Sequence, residues 1–547
     1  MTLPVPSWAS PQSTGAPPSA GAIQHDTKLP TTLPQAPGQV INLPAPQAQQ
    51  LDTSTTVVLR QILIQGNTLL PTSALAPLVD PLQGHTVTLA DLQQGAAKIT
   101  ALYQKRGYPL AYAYLAAQQI KDGVVTLTVV EPRYDQISVT GTSRLDPAQA
   151  RRTLGLQSGA PITQSALDRG LLLLNQTPGI RVAGTLVPGA TPATTTLEAH
   201  VSDTAAVRGS VSADDYGSPF TGRTRALANV SVDNPFGYGS QLSANGLTTA
   251  GGLLHAGGFS AQSPDVGDGG RFGIYASRTH YRLGGTFAAL HESGRAGQVG
   301  VDFTIPLILE PGRILQARVD LLRNRFRETS AVAQLNDRSY VNLFRFTLNG
   351  AMADAAGGLT SGGVVLTRGD VHFDTASAAV ADAAGAQTAG TFWSTQVQVG
   401  RTQPLPAGLS FKADLSGQLS SKNLNDSEKF YLGGPDAVMS TPVGEAGGDA
   451  GALLRLSLSH AIPLPASQQL QVAALLQGGQ IWLNHSPYGT TSAPNRQHLA
   501  GAGVGLTYQW AQRINARLGY VHRLGSAPST RGANSHGELW ASLQVNF

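Results

Sequence analysis

Apolar and polar residues alternate along most of the chain from Ala205 to Phe547. In LSFKADLSGQLS, every second residue from Leu409 to Leu415 is apolar and the residues between them are polar. The segments RILQARVDL, LLRLSLS, VGLTYQW, INARLGY and ELWASLQVNF follow the same pattern. Period two over eight or more residues is typical of strands, and segments of about ten residues match a tilted transmembrane strand. The region has room for about 16 strands at roughly 20 residues per strand and connection.

A transmembrane barrel explains this region better than the alternative, a large soluble β-domain. A soluble sandwich would rarely need so many long strands, and Tyr508, Trp510 and Tyr520 lie near strand ends, where an interfacial girdle places aromatic residues. The last strand ends at Phe547 itself. Because an open terminal strand leaves an exposed edge, we expect it to close against the first barrel strand near RGSVSADDYG.

Residues 57–204 have helical as well as strand patterns, arranged in two similar α+β units with boundaries at 57–132 and 133–204. The first reads as a strand (VVLRQILIQGNTLL), two helices, and the strands YPLAYAYL and VVTLTVVEP. Its second helix places Leu92, Ala96 and Ile99 on one face, and Thr88 with Asp91 predicts a capping box at its start. The second unit repeats this order of elements.

Residues 1–56 are rich in Pro, Ala, Gln, Thr and Ser. They lack the charged start and apolar core of a secretory signal, so a signal is either missing from this sequence or was never present. A segment such as LPAPQAQQ cannot bury a core, and we expect an extended, flexible leader.

Composition removes several classes of function. Only 13% of residues are charged, 62 are glycine and none is cysteine, which excludes a disulfide scaffold and cysteine-based zinc or nucleophile sites. The net charge of +4 comes from scattered basic residues, so we expect no nucleic-acid partner. The 12 histidines form no metal motif, no GxSxG is present, and adjacent Asp214 and Asp215 point to opposite faces of a strand. We expect no enzyme, no cofactor and no metal.

Several motifs in the right order resemble the transporters of two-partner secretion, the haemolysin secretion/activation family of outer-membrane proteins that export haemolysins and filamentous adhesins. QILIQGNTLL, YQKRGYPLA, GVVTLTVVEPRYDQISVTG and LLLLNQTPGIRVAGTLVPG are similar to the family's two polypeptide-transport-associated (POTRA) domains. DNPFGYGSQLS looks like an early barrel turn. SSKNLNDSEKFYLGGPDAV, followed by GEAGGDAGALLRLSLS, resembles the family's loop that folds back into the barrel, here at about residues 425–450.

The resemblance implies a fold and a function. The fold is two periplasmic α+β POTRA domains, then a 16-stranded antiparallel transmembrane β-barrel (205–547) with an in-folded loop, in the outer membrane of a Gram-negative bacterium. The function is recognition of an unfolded exoprotein and its export through the pore. The expected partners are this secreted exoprotein, outer-membrane lipid and the barrel-assembly machinery, which would read Phe547 as its C-terminal signal. The pore is expected to be monomeric.

A substrate site is predicted in the first POTRA unit, because an exposed strand edge beside a helix groove can accept an extended peptide. We place it at the edge of residues 108–115 and the groove of helix 88–106. The residues concerned are Tyr108, Leu110, Tyr112, Tyr114, Leu92, Ala96 and Ile99.

The in-folded loop departs from its family, which usually carries Val-Arg-Gly-Tyr or Val-Arg-Ala-Tyr after the LGG turn and an acidic partner on a later strand. Here Met439 stands at the arginine position and Gln477, in ALLQGGQIW, at the acid position. Losing both charges together is coherent, because a lone buried charge costs about 3 to 5 kcal/mol whereas two neutral groups can be nearly harmless. The predicted loop motif comprises Phe430, Leu432, Gly433, Gly434, Val438, Met439, Ser440 and Thr441. Its predicted barrel-wall partners are Gly448, Asp449, Gly451, Gln477 and Gly479.

Alternative functions remain open at this point. A barrel-assembly or membrane-insertion factor of the same superfamily usually has more, or differently spaced, POTRA units. A passive porin lacks the periplasmic repeat, and a siderophore receptor needs a plug domain that residues 57–204 fit poorly. The chain is also compatible with an unusual family member whose secretion is impaired.

Overall fold

A computed structural model describes residues 17–27, 33–39, 41, 55–141, 145–332, 334–489, 494–525 and 536–547. It contains two compact units. One holds residues 205–308 and 312–547 with the described residues up to Ala36, and the other holds residues 37–204 with 309–311. Within the described residues, no helix has the length and apolar content needed to cross a membrane.

The predicted flexible leader contains a buried helix, α1 (Ala20–Thr27), so the prediction was wrong for these residues. Ala20 and Ile23 are 0% and 1% exposed inside the β-barrel. The physical reason is close packing of small residues: a Cβ at Gly21 would lie 2.8 Å from the backbone nitrogen of Ser427. Residues 1–16, 28–32, 40 and 42–54 of the leader lie outside the described residues.

The first α+β unit contains the predicted order of elements. They are β1 (Thr56–Val58), β2 (Gln61–Gln65), α2 (Thr72–Leu75), 3-10 helices Ala76–Leu78 and Asp80–Leu82, β3 (Thr86–Thr88), α3 (Leu89–Lys105), β4 (Tyr112–Leu115) and β5 (Val124–Val130). The sheet has the order β2-β5-β4, with β2 parallel and β4 antiparallel to β5, while β1 pairs separately with β3. The predicted first strand is thus divided into β1 and β2. The capping box is present: the Asp91 carboxylate accepts the Thr88 N–H at 2.8 Å, and the Asp91 N–H donates to the Thr88 hydroxyl at 3.1 Å.

The strand predicted to start at Tyr108 starts at Tyr112. Residues 107–111 form a turn instead. Gly107 has φ +86°, and the Ala111 N–H donates to the Tyr108 carbonyl at 3.3 Å. Pro109 has no N–H to give to a strand ladder, so the chain extends only after the turn.

Residues 133–203 form a second set of elements in the same order. They are β6 (Arg133–Thr140), α4 (Pro147–Leu154), α5 (Gln164–Asn175), β7 (Ile180–Pro188) and β8 (Thr194–Asp203). The sheet order is β6-β8-β7, and β6 is parallel to β8. The apolar side of α5, including Leu167 and Leu171, is fully buried.

Sixteen antiparallel strands close the barrel, as predicted. They are β9 (Val207–Asp214), β10 (Arg225–Asp233), β11 (Gln241–Thr249), β12 (Leu254–Gln262), β13 (Arg271–Arg282), β14 (Glu292–Glu310), β15 (Arg313–Ser330), β16 (Leu335–Ala353), β17 (Leu359–Phe373), β18 (Gly390–Pro404), β19 (Leu409–Ser420), β22 (Ala450–Leu464), β23 (Gln468–Trp482), β24 (Arg496–Trp510), β25 (Ile514–Arg523) and β26 (Gly537–Asn546). Two short strands, β20 (Phe430–Tyr431) and β21 (Gly447–Gly448), precede β22. The connections contain α6 (Ala376–Ala384) and 3-10 helices Gly285–Leu290, Pro406–Gly408 and Asp426–Glu428.

Closure joins β26 to β9, with Ser542 opposite Asp214. It continues to the last residue, where Phe547 and Gly209 exchange two backbone hydrogen bonds of 2.9 Å. Along the strands the alternation predicted from sequence separates two faces. Leu415 and Leu419, for example, are 54% and 69% exposed on the outer wall, while the polar residues Gln418 and Asn324 are buried inside. No strand edge of the barrel is left open, which satisfies the requirement for a span through lipid.

Candidate functional site in the barrel interior

The connection between β19 and β22, residues 421–449, folds back into the barrel, and we call it the in-folded loop. It is a hairpin in which Phe430 faces Gly448, and the Leu432 and Val438 side chains are 0% exposed. These residues pack against Leu453 and Ile481 of the wall. The apolar half of the glycine-rich sequence is therefore a docking surface on β22 and β23.

Glycine permits close packing at two positions of this contact. A Cβ at Gly433 would lie 2.2 Å from the Pro442 carbonyl oxygen inside the hairpin. One at Gly479 on β23 would lie 2.6 Å from a methyl group of Leu432. At Gly433 the close atom is a backbone oxygen, so a side chain there would force the hairpin to shift, whereas at Gly479 the Leu432 side chain could move aside.

The tip of the loop brings together the two positions singled out from the sequence. The backbone N–H of Met439 donates to Oε1 of Gln477 at 2.8 Å, and the Met439 carbonyl accepts from the Trp540 indole at 2.6 Å. Ser440 donates to the Ala500 carbonyl at 3.1 Å. A neutral amide and a main-chain N–H thus occupy the place where the family resemblance implies a charge pair.

The remaining predicted loop residues lie in or beside this hairpin. Thr441 donates its hydroxyl to the Val438 carbonyl at 3.0 Å, and the Gly434 N–H donates to the Thr441 carbonyl at 3.1 Å. Of the predicted wall partners, Gln477 and Gly479 lie on β23 and Gly451 on β22, but Gly448 and Asp449 belong to the loop itself. The prediction was wrong for these last two because the loop hairpin extends through Gly448 before the wall begins.

Charged residues hold the base of the loop. Nη2 of Arg345 on β16 donates to both carboxylate oxygens of Glu428, at 2.8 and 2.6 Å. Nζ of Lys429 lies 3.0 Å from Oδ1 of Asp426. Asp449, 0% exposed, accepts the N–H groups of Leu424 and His485. We call the Arg345–Glu428 pair the base clamp.

The helix α1 is attached to the same base. The Ala20 N–H at its start donates to Glu328 of β15 at 2.6 Å, and the Ser19 hydroxyl donates to Asp426 at 2.6 Å. Ile23 joins an apolar cluster that includes Phe326. The helix and the loop together therefore fill part of the barrel interior.

Sequence reasoning missed the base clamp and α1. In the sequence AGAIQHDT only Ile23 is a large apolar residue, which is too weak a signal to predict a buried helix. The residues of the base clamp are 83 positions apart. No local pattern could have joined them.

The predicted substrate site of the first α+β unit is only partly accessible. Leu92, Ala96 and Ile99 are 0–3% exposed, because this face of α3 packs on the sheet, so they are core and do not line a groove. Tyr108 and Leu110 lie in the turn before β4. Tyr112 and Tyr114 are 46% and 36% exposed on β4, which is an edge strand.

The edge of β4 is partly occupied. The Ala113 N–H donates to the Thr100 hydroxyl of α3 at 2.9 Å, so that donor is not free for an incoming strand. What the edge offers is a short strand with two neighbouring tyrosine rings, whose centroids are 5.9 Å apart. Such rings can contact an extended peptide with little sequence preference.

A hydrogen-bonded carboxylate ties the loop before α2 to α3 and β5. Glu131 accepts the N–H groups of Thr68 and Leu69 and the hydroxyl of Tyr103. Burial by itself raises the pKa of Glu131, but the hydrogen bonds from Thr68, Leu69 and Tyr103 outweigh it and hold the pKa below its usual range. Among the described residues, no group of three or more His, Asp or Glu side chains is placed to hold a metal ion.

Comparisons with known proteins agree with this architecture. A family model described as POTRA domain, ShlB-type, matches residues 57–132, and one described as haemolysin secretion/activation protein ShlB/FhaC/HecB matches residues 194–508, more than half of the chain. The chain is 25% identical to the heme/hemopexin transporter protein HuxB of Haemophilus influenzae (strain 86-028NP), over 97% of this chain and 95% of HuxB. It is 24% identical to the outer membrane transporter CdiB of Dickeya dadantii (strain 3937), over 82% of this chain and 80% of that protein. The solved structure of CdiB from Escherichia coli has a similar fold, with a TM-score of 0.74 at 20% identity over 92% of this chain and 93% of that one.

Proposed function

The chain belongs to the haemolysin secretion/activation protein family, ShlB/FhaC/HecB, and from this we propose how its barrel and first α+β unit export an exoprotein. It is an outer-membrane transporter of two-partner secretion, with a POTRA domain at residues 57–132 that lies in the periplasm in this family. The observation that carries the proposal is the barrel interior, where the segment at the start of α1 contacts the base of the in-folded loop through Ser19 and Asp426.

The route we propose is the barrel interior. An unfolded chain exposes its backbone N–H and C=O groups, so it needs polar surroundings during transit. The wall supplies them: Gln298 donates to Asn324 at 2.9 Å, and Arg318 donates to Asp320 at 2.7 Å, all on inward positions. Since α1 and the in-folded loop lie in this space, we propose that α1 leaves and the loop moves during export.

The entry point we propose is the edge of β4. Tyr112 and Tyr114 provide aromatic contact area, and the short edge adds main-chain hydrogen bonds to an extended segment of the substrate. The proposed site is smaller than the one expected from sequence, because Leu92, Ala96 and Ile99 of α3 are buried and cannot contact the substrate. We also propose that residues 133–204 are a second POTRA domain, on the basis of the same order of helices and strands.

The substrate we propose is a secreted exoprotein that is unfolded in transit. HuxB is named for heme/hemopexin transport and CdiB as an outer membrane transporter, and these names do not fix the cargo of this chain. We further propose that the transporter acts as a monomer in outer-membrane lipid, that the barrel-assembly machinery reads Phe547, and that no catalytic step is involved.

We propose that the loop of this chain is functional without the charge pair. The contact between Met439 and Gln477 is hydrogen-bonded and neutral, and the charge that fixes the loop lies instead at its base, between Arg345 and Glu428. In this proposal the base clamp compensates for the absence of charged residues at positions 439 and 477.

The experiment is a secretion assay in an Escherichia coli strain that expresses the chain together with a candidate exoprotein from the same genome. We expect the exoprotein in the medium or on the cell surface, and its retention in the periplasm when residues 57–132 are deleted. Equal secretion with an empty vector would refute the function. Barrel assembly is checked in parallel by heat-modifiable migration of the transporter on gels, so that loss of secretion is not confused with loss of the barrel.

A further inference from the structure

The outer surface of β12–β16 carries a group of basic side chains whose hydrogen-bond partners are neutral. Nε of Arg323 donates to Asn342 and Nε of Arg327 donates to Asn336. The residues that contact α1 and its cluster, such as Tyr281, Ala296 and Leu322, define the inward face of these strands. Residues of the opposite parity face outward, and they include exposed apolar side chains that suit lipid. These are Phe272, Ile274, Val299, Val301, Leu321 and Phe344, each 43–60% exposed.

Toward one end of the barrel, the outward positions change from apolar to basic. On β15, Leu321 is followed at every second residue by Arg323, Arg325 and Arg327, all exposed. This end is opposite to the one where the chain enters the barrel at Val207, because β13 and β15 run in the same direction as β9. With the POTRA domain in the periplasm, it is the cell-surface end. We define the basic patch as His255, Arg278, His280, Arg282, Arg295, Arg323, Arg325, Arg327 and Arg338.

Strand register brings basic side chains together in the patch. His255 pairs with His280, His280 with Arg295, and Arg327 with Arg338. The Arg327–Arg338 pair places two permanent charges opposite each other, and such a pair destabilises a sheet unless something neutralises it.

The protein does not supply the missing negative charge. In the described part of the chain, none of the arginines of the patch forms an ion pair. The carboxylates Asp320, Glu328 and Asp337 sit at inward positions of β15 and β16. Asp370 faces outward on β17, but its carboxylate contacts His372 at 2.6 Å. The arginines of the patch are therefore available to an anion from outside the protein.

Two depressions on this surface fit the two parts of an amphiphile. One, of about 390 Å³, is bordered by His280, Arg295 and Arg327. The other, of about 540 Å³, is lined by apolar residues including Leu321 and Phe344, and also by the charged side chains Arg323, Arg368 and Asp370. A free polyanion would use the first alone. A lipid with a phosphorylated headgroup would use both.

We propose that the basic patch binds lipid A, the phosphorylated lipid of the outer leaflet, with its phosphates among the arginines and an acyl chain in the apolar groove. Guanidinium groups match phosphate geometry and charge, and they are the preferred side chains for such recognition. The patch faces the bilayer at the level where headgroups begin, since Leu321 is the last apolar outward residue of β15 before Arg323. This inference is independent of the exported substrate.

The test is native mass spectrometry of the purified full chain in detergent, titrated with bis-phosphorylated lipid A and with the same lipid after dephosphorylation. We expect the phosphorylated form to bind at least about tenfold more tightly. Equal binding of both forms would overturn the proposal without any mutation. Inorganic phosphate at the same concentration as lipid A is expected not to displace it, and displacement would identify a free-anion site instead.

Variants localise the site. Arg295→Gln/Arg327→Gln is expected to lower lipid A affinity at least about tenfold. The matched control Arg496→Gln/His498→Gln removes two exposed outward side chains from β24, on another part of the wall, and should leave the affinity unchanged. Unchanged binding by the patch variant, or an equal loss in the control, would contradict the assignment. Heat-modifiable migration on gels verifies that each barrel is folded.

Discussion

Removal of Arg345 should release the in-folded loop more than removal of the Gln477 contact at its tip. Arg345→Met leaves Glu428, 5% exposed, as a buried carboxylate without its cation. Breaking one partner of a buried pair costs about 3 to 5 kcal/mol. Gln477→Leu instead leaves the Met439 N–H without its acceptor, which costs about 1 to 3 kcal/mol. Each 1.4 kcal/mol changes an equilibrium constant about tenfold. Arg345→Met should therefore raise the population of the open loop on the order of 10²-fold or more, and Gln477→Leu should raise it roughly 5- to 150-fold.

The chain contains no cysteine, so a single reporter thiol measures this directly. Ala437→Cys places it near the tip, at a position only 8% exposed. The rate of maleimide labelling of the purified protein then follows the fraction of open loop. We expect the rates to rank Arg345→Met above Gln477→Leu above the parent.

The double variant Arg345→Met/Glu428→Gln is the control for charge. It removes the Glu428 carboxylate charge together with the Arg345 guanidinium, so labelling should fall back toward the parent rate. Labelling of the double variant as fast as Arg345→Met would refute the base clamp as an electrostatic contact. A larger effect of Gln477→Leu than of Arg345→Met would refute the ranking.

Three further predictions concern α1 and the first α+β unit. Gly21→Ala should displace α1, because the added Cβ would lie 2.8 Å from a backbone nitrogen of the loop. The displacement should raise single-channel conductance in planar bilayers. The control Gly38→Ala, whose Cβ would have no atom within 4 Å, should leave the conductance unchanged. Tyr112→Ala/Tyr114→Ala should reduce secretion and exoprotein pull-down while circular dichroism stays unchanged, and normal pull-down would contradict a substrate role for the β4 edge. The lowered pKa of Glu131 means that its stabilisation is present above the unfolded pKa near 4.3 and is lost as pH falls through the folded pKa. Hydrogen exchange of α3 in the full chain should therefore show weaker protection below about pH 4 than at pH 7, with a smaller difference in Glu131→Gln.

Local periodicity predicts most of the fold, since a strand with one face in lipid and one in the interior must alternate. The sixteen strands, their closure and the capping box at Thr88 follow from such short-range rules. The turn before Tyr112 was misread because apolar residues on both sides of Pro109 continue the strand pattern. The face of α3 was correctly identified as apolar, but an apolar face can be core or groove, and only packing distinguishes the two.

The candidate site was predictable only where the family resemblance supplied it. Met439 and Gln477 are 38 positions apart, and no periodicity relates them, yet the resemblance placed them together and they are in contact. Neither the resemblance nor any periodicity related Arg345 to Glu428. Long-range polar contacts depend on how the barrel closes, so a sequence pattern does not predict them.

The shared anchoring of α1 and the loop has a thermodynamic consequence. The Ser19 hydroxyl donates a hydrogen bond to Asp426 of the loop, and the Ala20 N–H donates one to Glu328 of β15. The adjacent Gly21 packs on the loop backbone. Departure of the helix therefore removes contacts from the loop, and movement of the loop removes the same contacts from the helix. Coupling of this kind is reciprocal, so whatever free energy the loop gives to helix retention, the helix returns to loop retention. A ligand or substrate segment that binds only one of the two displaced states thereby favours displacement of both.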